Sequence, residues 1–315
     1  MFDRDKLNIM PLEERKHDLD LSSIRDLIAV SEIDPALTEY AKRIQAAKKQ
    51  GASRVMMMGA HVIRSGVQRY LFNMMEQGHI TCLAVNGACL IHDYELARIG
   101  ATTESVACYV QNGQFGLWEE TGDINTIATL AAKEGMGLGE AAGKVISEGY
   151  FPHKDISVFA KAYELGIPVT VHVGIGYDIV CEHPNYDGAA WGAASYTDFL
   201  RFTGELENLE DGVSMTFGSA VMAPEIFLKA LAMVRNVARQ KGEEIRRFAT
   251  LVCDLADLPH EFQLEAKRGS AGYYFRPWKT LLVRTVADGG ESFYVKGPHA
   301  ETIPALWTAL NKDKE

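Results

Sequence analysis

The stretch "VMMMGAHVIRSGVQRYLFNMM", residues 55–75, decides the fold. Its first four residues are apolar without alternation, the pattern of a strand buried on both faces. Gly59 ends that run, and from about Ser65-Gly66 apolar residues recur at helical spacing as far as Gly78. A strand that stops at a glycine and feeds a helix is a common way for α/β proteins to hold a phosphate, through N–H groups at the helix start. Neither G-x-G-x-x-G nor a Walker loop is present, so the spacing alone admits any phosphate-bearing ligand.

The same alternation continues outward. "ITCLAVNGA" follows as a second buried strand, which completes a strand–helix–strand unit of the usual size. Before it, "DPALTEYAKRIQAAKKQGA" has an Asp34-Pro35 start and a Gly51 stop, a helix preceded by an arm. After it, "HDYELARIGA" reads as a short helix capped by Asp93, and residues 104–150 read as mainly helical with a break in "EGMGLGEAAGK". "ISVFAKAYELG" and "YTDFLRFTGELENL" are helices, and so is "PEIFLKALAMVRNVARQK", with Pro224 in its first turn. "IPVTVHVGIG", "GVSMTFGSAV", "FATLVCDLA" and "SFYVKGPHA" are further strands. The expectation is an α/β fold with a Rossmann-like, doubly wound and mostly parallel sheet. Residues 1–50 form an arm and helix, and 51–315 a single nucleotide-binding domain.

Composition narrows the partners. The 315 residues are 47% hydrophobic and 23% charged, with a net charge of −10 and no basic cluster. Nucleic-acid binding through phosphate neutralisation is not expected, nor is attraction to an anionic membrane. No apolar run approaches the length of a spanning helix. The N-terminus is charged and lacks the apolar core of a secretory signal. Five scattered cysteines form no C-x-x-C pair, which fits reduced thiols and a cytoplasmic location.

Ligands of such sheets lie beyond the carboxyl ends of the strands. Here those ends are "GAHVIRSG", "NGACLIHD", "HVGIGYD", "FGSAVMAPE", "CDLADLPHEF" and "KGPHAE", nearly all glycine with a histidine or an acid. Their order and spacing resemble the deoxyhypusine synthase family. Gly59–Gly66 stands where that family has T-S-N-L-I-S-S-G, and Val85–Leu96 where it has an apolar strand and T-T-A-G-G-x-E-E-D-L. The likeness runs through "LGIPVTVHVGIGYDIVCEHP", "GVSMTFGSAVMAPEIFLKALAMVRN" and "SFYVKGPHAETIPALW". The resemblance implies NAD at the strand ends, a small amine substrate, and a homo-oligomer, a tetramer in that family. In that chemistry NAD takes a hydride from spermidine and a lysine carries the aminobutyl group.

Carried over position by position, the resemblance assigns cofactor contacts to Gly59, Ala60, His61, Ser65, Gly66, Asn86, Gly87, Ala88, Gly218, Ser219 and His299. It assigns catalytic or substrate contacts to Asp178, His172, His92 and Lys279, the last as an echo of W-G-K in Trp278-Lys279. Departures are plain: the cofactor-contacting asparagine is His61, the acidic pair is His92-Asp93, and a substrate-binding histidine is missing beyond Val221. The chain therefore reads as a divergent relative, not a deoxyhypusine synthase proper. His172, Asp178, Cys181, His183 and Asp187 crowd sixteen residues, but their spacing fits no zinc pattern and no metal is expected. A hydrolase using His172, Asp178 and His183, with or without a metal, and a non-catalytic nucleotide-binding protein remain open alternatives.

Overall fold

The computed structural model describes residues 2–312. Six strands, β1 (Arg54–Met58), β2 (Cys82–Asn86), β3 (Val169–His172), β4 (Val213–Phe217), β5 (Ala249–Asp254) and β6 (Glu291–Lys296), form one sheet. Every pairing in it is parallel. The order across the sheet is β3-β2-β1-β4-β5-β6, the arrangement of dinucleotide-binding Rossmann sheets. Met58 pairs with Val85 on one side and Phe217 on the other, so β1 is central and buried on both faces. The chain leaves β1 toward β2 and β3, then returns to the far side of β1 for β4. The switch point therefore lies between β1 and β4.

Parallel strands need crossovers, and these supply the two outer layers. The helices are α1 (Pro35–Gln50), α2 (Ala60–Arg64), α3 (Gln68–Glu76), α4 (Gly87–Ile99), α5 (Val106–Gln111), α6 (Glu119–Glu134), α7 (Leu138–Glu148), α8 (Val158–Glu164), α9 (Gly188–Glu205), α10 (Met222–Gln240), α11 (Ala271–Tyr274) and α12 (His299–Asn311). A π-helical segment, Pro277–Arg284, lies in the β5–β6 crossover. Met56, Met58, Leu83, Val85 and Met215 face a core shared with α1, α3, α4, α6, α7, α8 and α12. Val55, Met57, Ala84 and Val252 face a second core with α10 and the π-helical segment. Alternate residues of each strand thus serve opposite layers. No described helix is long and apolar enough to cross a membrane.

Local signals explain most boundaries. Asp34 accepts a hydrogen bond from the Ala36 N–H and Gly51 ends α1 in the left-handed region. Helix α4 starts at Gly87, five residues before the expected short helix, with Asn86 as its cap. Asp93 therefore caps nothing of its own. It lies inside α4 and accepts from Ser157 Oγ and the Val158 and Phe159 N–H groups, capping α8 instead. Helix α9 likewise begins at Gly188, under an Asp187 cap, and takes in the stretch before "YTDFL".

The opening stretch differs from its expectation at one point. The helix after β1 begins at Ala60, not at Ser65-Gly66, and Gly66 is the break between α2 and α3. Gly66 has φ +72°, and a Cβ there would overlap the Ser23 carbonyl. The N-terminal arm crosses here, with the Arg25 N–H donating to Gly66 O at 2.8 Å. The arm also pairs Leu19–Asp20 antiparallel with Ala101–Thr102. Gly66 thus accommodates this chain's own arm.

That contact can be isolated with a second glycine. Gly135 has φ +68° and open space around its Cβ position. Gly135→Ala should lose only the left-handed strain of about 1–2 kcal/mol. Gly66→Ala should lose clearly more in urea unfolding, because the arm must shift as well. Equal losses would show that the arm does not bear on Gly66.

Candidate functional site

Helix α4 carries the densest chemistry. It leaves β2 without a loop, so its first turn stands at the carboxyl end of the sheet. A Cβ on Gly87 would overlap the Asp178 carboxylate, which comes from the loop after β3. Glycine is therefore needed for Asp178 to reach the positive end of α4. Asp178 is 7% exposed, and its one protein hydrogen bond is accepted by Oδ2 from the Gly174 N–H at 3.0 Å. Burial pushes its carboxyl up to about 6, and that single bond only partly offsets the burial.

Ala88, His92 and Glu95 follow at helical spacing on one face of α4 and line a cavity of about 410 Å³ with Asp178. The far wall comes from Thr103, Glu104 and Phe115, and Arg64 of α2 and Arg15 of the arm close it. Glu95 is fully buried and ionised, with its carboxyl held below the usual range. Burial opposes that ionisation, and the Arg15 guanidinium overcomes it. Arg15 donates to both Glu95 oxygens, at 2.9 and 2.7 Å, and Thr102 and Thr121 hydroxyls donate to the same carboxylate. His92 Nδ1 lies 2.8 Å from Thr102 Oγ1, and burial lowers the imidazole to about 4. Thr103, beside this network, has φ +68°, a strained conformation for a β-branched residue.

With Arg15 and Glu95 cancelling, the wall presents Asp18, Glu104 and Asp178 against one guanidinium, Arg64. Glu104 is occupied, accepting from the Gly116 N–H and Trp118 Nε1. Asp178 has no ion-pair partner among the described residues.

A second group of residues meets at the switch point. The Gly59 N–H donates to Phe217 O at 3.0 Å, and its Cα faces Gly218 so closely that no side chain fits between. Over Gly218 sits His299, at the start of α12, 8% exposed, with a buried Nδ1 that has no partner. Helix α2 has no side-chain cap, so the N–H groups of Ala60 and His61 lack intrahelical acceptors. His61 is exposed. Ser219 caps α10 by accepting from the Ala223 N–H.

Of the sequence-predicted residues, the structure gathers Ala88, His92 and Asp178 around one cavity, beside Gly87. Gly59, Ala60 and His61 follow β1, and Gly218 packs on Gly59 under His299. Asn86 caps α4, and Ser65 donates back to His61 O within its own turn. His172 points to the other face of the sheet, between Phe199 and Phe202, bonded to Thr170, and burial lowers it to about 3. Lys279 lies in the β5–β6 crossover with its ammonium 3.5 Å from the Tyr273 ring centre. Neither bonds to Asp178 or His92. His183 is spent on Gly116 O at 2.9 Å, and no described group of three ligating side chains could hold a metal.

Arg15, Arg64, Glu95, Thr102 and Glu104 escaped sequence reading. The spacing of Glu95 from Ala88 and His92 would have exposed it once α4 was known to start at Gly87.

No family model matches the chain, and no curated protein is similar to it. Solved structures are similar in fold. AgrE, in a ternary complex with ornithine and NAD+, has a TM-score of 0.51 at 15% identity, over 91% of this chain and 34% of AgrE. ArgZ, an arginine dihydrolase from the ornithine–ammonia cycle in cyanobacteria, has a TM-score of 0.51 at 14% identity, over 89% of this chain and 31% of ArgZ. This chain thus spans about a third of their length. A deoxyhypusine synthase-like structure from Entamoeba histolytica has a TM-score of 0.46 at 9% identity, over 87% and 86% of the two chains. The α/β parallel sheet expected from sequence is therefore shared with NAD-binding structures. Likeness at this level reaches the fold and stops there.

The Arg15–Glu95 pair makes a stability prediction. Arg15→Met leaves a buried carboxylate uncompensated and should cost about 3–5 kcal/mol in urea unfolding. Adding Glu95→Gln removes that charge and should recover part of the loss. A loss below about 1 kcal/mol for Arg15→Met would mean that the arm is not held by this pair.

Proposed function

We propose that the chain is an NAD-dependent enzyme that acts on a small amine in the α4 cavity. The observation that carries this reading is Asp178. It is a buried carboxylate with one hydrogen bond and no ion-pair partner among the described residues, opening onto a cavity. Such a group is costly unless a cation joins it, and a ligand ammonium is the partner its surroundings lack. Glu104 is already bonded and Asp18 is exposed, so they add negative potential around it without competing for contact.

A dinucleotide would sit at the switch point. In a sheet of this order it lies beyond the strand ends, where Gly59 and Gly218 meet. Gly59, Ala60, His61, Gly218 and His299 would hold it. NAD, when bound, supplies a hydride acceptor. The fold shared with AgrE, one of whose structures holds ornithine and NAD+, supports this pairing of ligands. Oxidation at the carbon bearing the amine is the reaction class the site favours. Aminoalkyl transfer through a lysine has no support in this geometry, because Lys279 is stacked on Tyr273 within another layer.

Calorimetric titration tests the proposal. NAD+ should bind with a Kd below about 1 mM, and L-ornithine or spermidine should bind the NAD+-loaded protein. Asp178→Asn should weaken the amine about 30-fold or more while leaving NAD+ binding in place. Because Asp178 is neutral below its raised value of about 6, amine affinity should climb as pH rises through 6 and level off above it. Absence of NAD+ binding at millimolar concentration, or a pH-independent amine affinity, would sink the reading.

A further inference from the structure

His92 has a feature that the cofactor and Asp178 do not account for. Its ring lines the cavity, and only one of its nitrogens has a protein partner. The other, Nε2, has no hydrogen-bond partner among the described residues. Which nitrogen carries the proton follows from the chain of bonds behind the ring. Glu95 receives two N–H groups from Arg15 and a hydroxyl from Thr121, so it is a carboxylate with no proton to give. Thr102 Oγ1, 2.6 Å from Glu95 Oε2, must therefore donate to it. A hydroxyl has one proton, so the same oxygen can only accept from His92. His92 is thus fixed as the Nδ1–H tautomer, which leaves the Nε2 lone pair of this cavity-lining ring without a protein donor.

We infer that His92 Nε2 is a fixed hydrogen-bond acceptor that selects ligands presenting an N–H donor, and that Thr102, Glu95 and Arg15 are positioning residues reaching it from the N-terminal arm. This deepens the reading of the cavity as an amine site and rests on it. The role is acceptance and not proton removal. An alkylammonium titrates near the lysine value of about 10 and His92 near 4, so transfer onto the ring is disfavoured about a million-fold. The groups that set this balance are Glu95, which favours the imidazolium, and Arg64, Arg15 and His61, which oppose it together with burial. Asp178 supplies the charge and His92 supplies direction, so a quaternary ammonium satisfies the first but not the second.

Two readouts test this in the intact protein. Long-range 1H–15N spectra of the ligand-free protein should show His92 as Nδ1–H. Thr102→Val should release it toward Nε2–H, and Thr102→Ser should restore the original pattern. Next, n-butylammonium and n-butyltrimethylammonium are titrated while the His92 signals are followed. Wild type should favour the primary amine by about tenfold, one good hydrogen bond, and Thr102→Val should lose that preference without weakening the quaternary probe. An Nε2–H tautomer in wild type, or equal affinity for the two cations, overturns the inference. If neither cation perturbs His92, the amine reading of the cavity falls, and the donor-selecting role falls with it. The tautomer pattern then shows separately whether the relay holds the ring.

Discussion

The ion pair between Arg15 and Glu95 is the constraint on which the rest of the molecule turns. Its partners come from the N-terminal arm and the middle of α4, and both side chains are 1% exposed. Neither charge is tolerable alone in that position, so arm and helix must be placed together. Once Arg15 is seated, the arm has a fixed path past Gly66 and along Thr102–Thr103. Once Glu95 is neutralised, α4 can carry polar residues on a face that would otherwise need to be apolar. The cavity exists because this pair makes a polar wall stable.

The same pair explains why the sheet was legible in the sequence and the cavity only in part. Strands such as "RVMMM" and "CLAVN" are apolar apart from Arg54 and Asn86 at their ends, and their buried runs depend on neighbouring residues only. His92 and Asp178 were found because strand ends in a parallel sheet must converge, which holds whatever the side chains do. Arg15 is eighty residues from its partner, and nothing local distinguishes it from the other charges of the arm. Thr102 is recognisable only through the two bonds it makes.

Two of the site readings fail for reasons that strand and turn geometry supply. His172 lies at the end of β3, but Val169 and Val171 face one core, so Thr170 and His172 must face the other. Ser65-Gly66 was read as a helix start offered to a ligand. The glycine is instead required by a left-handed turn under a crossing segment, a long-range contact that spacing does not encode.

Perturbed acidity alone would not have picked out the site. Asp93, Asp178 and Asp198 are all buried carboxyls raised to between about 6 and about 7, burial being the first cause in each. Each therefore adds stability that is complete below the unfolded value near 4 and is lost as pH rises through its folded value. Their partners tell them apart. Asp93 receives three donors and fixes the start of α8, and Asp198 receives the Val171 and Gly139 N–H groups and ties β3 to α7. Asp178 receives one donor and opens onto a cavity. Raising a carboxyl to about 6 corresponds to about 3 kcal/mol held against the folded state at neutral pH, and Asp198 is raised further still. At Asp93 and Asp198 that cost accompanies connections the fold uses. At Asp178 a single N–H offsets only part of it, and a bound cation would relieve the rest, turning an instability of the empty site into affinity for such a ligand.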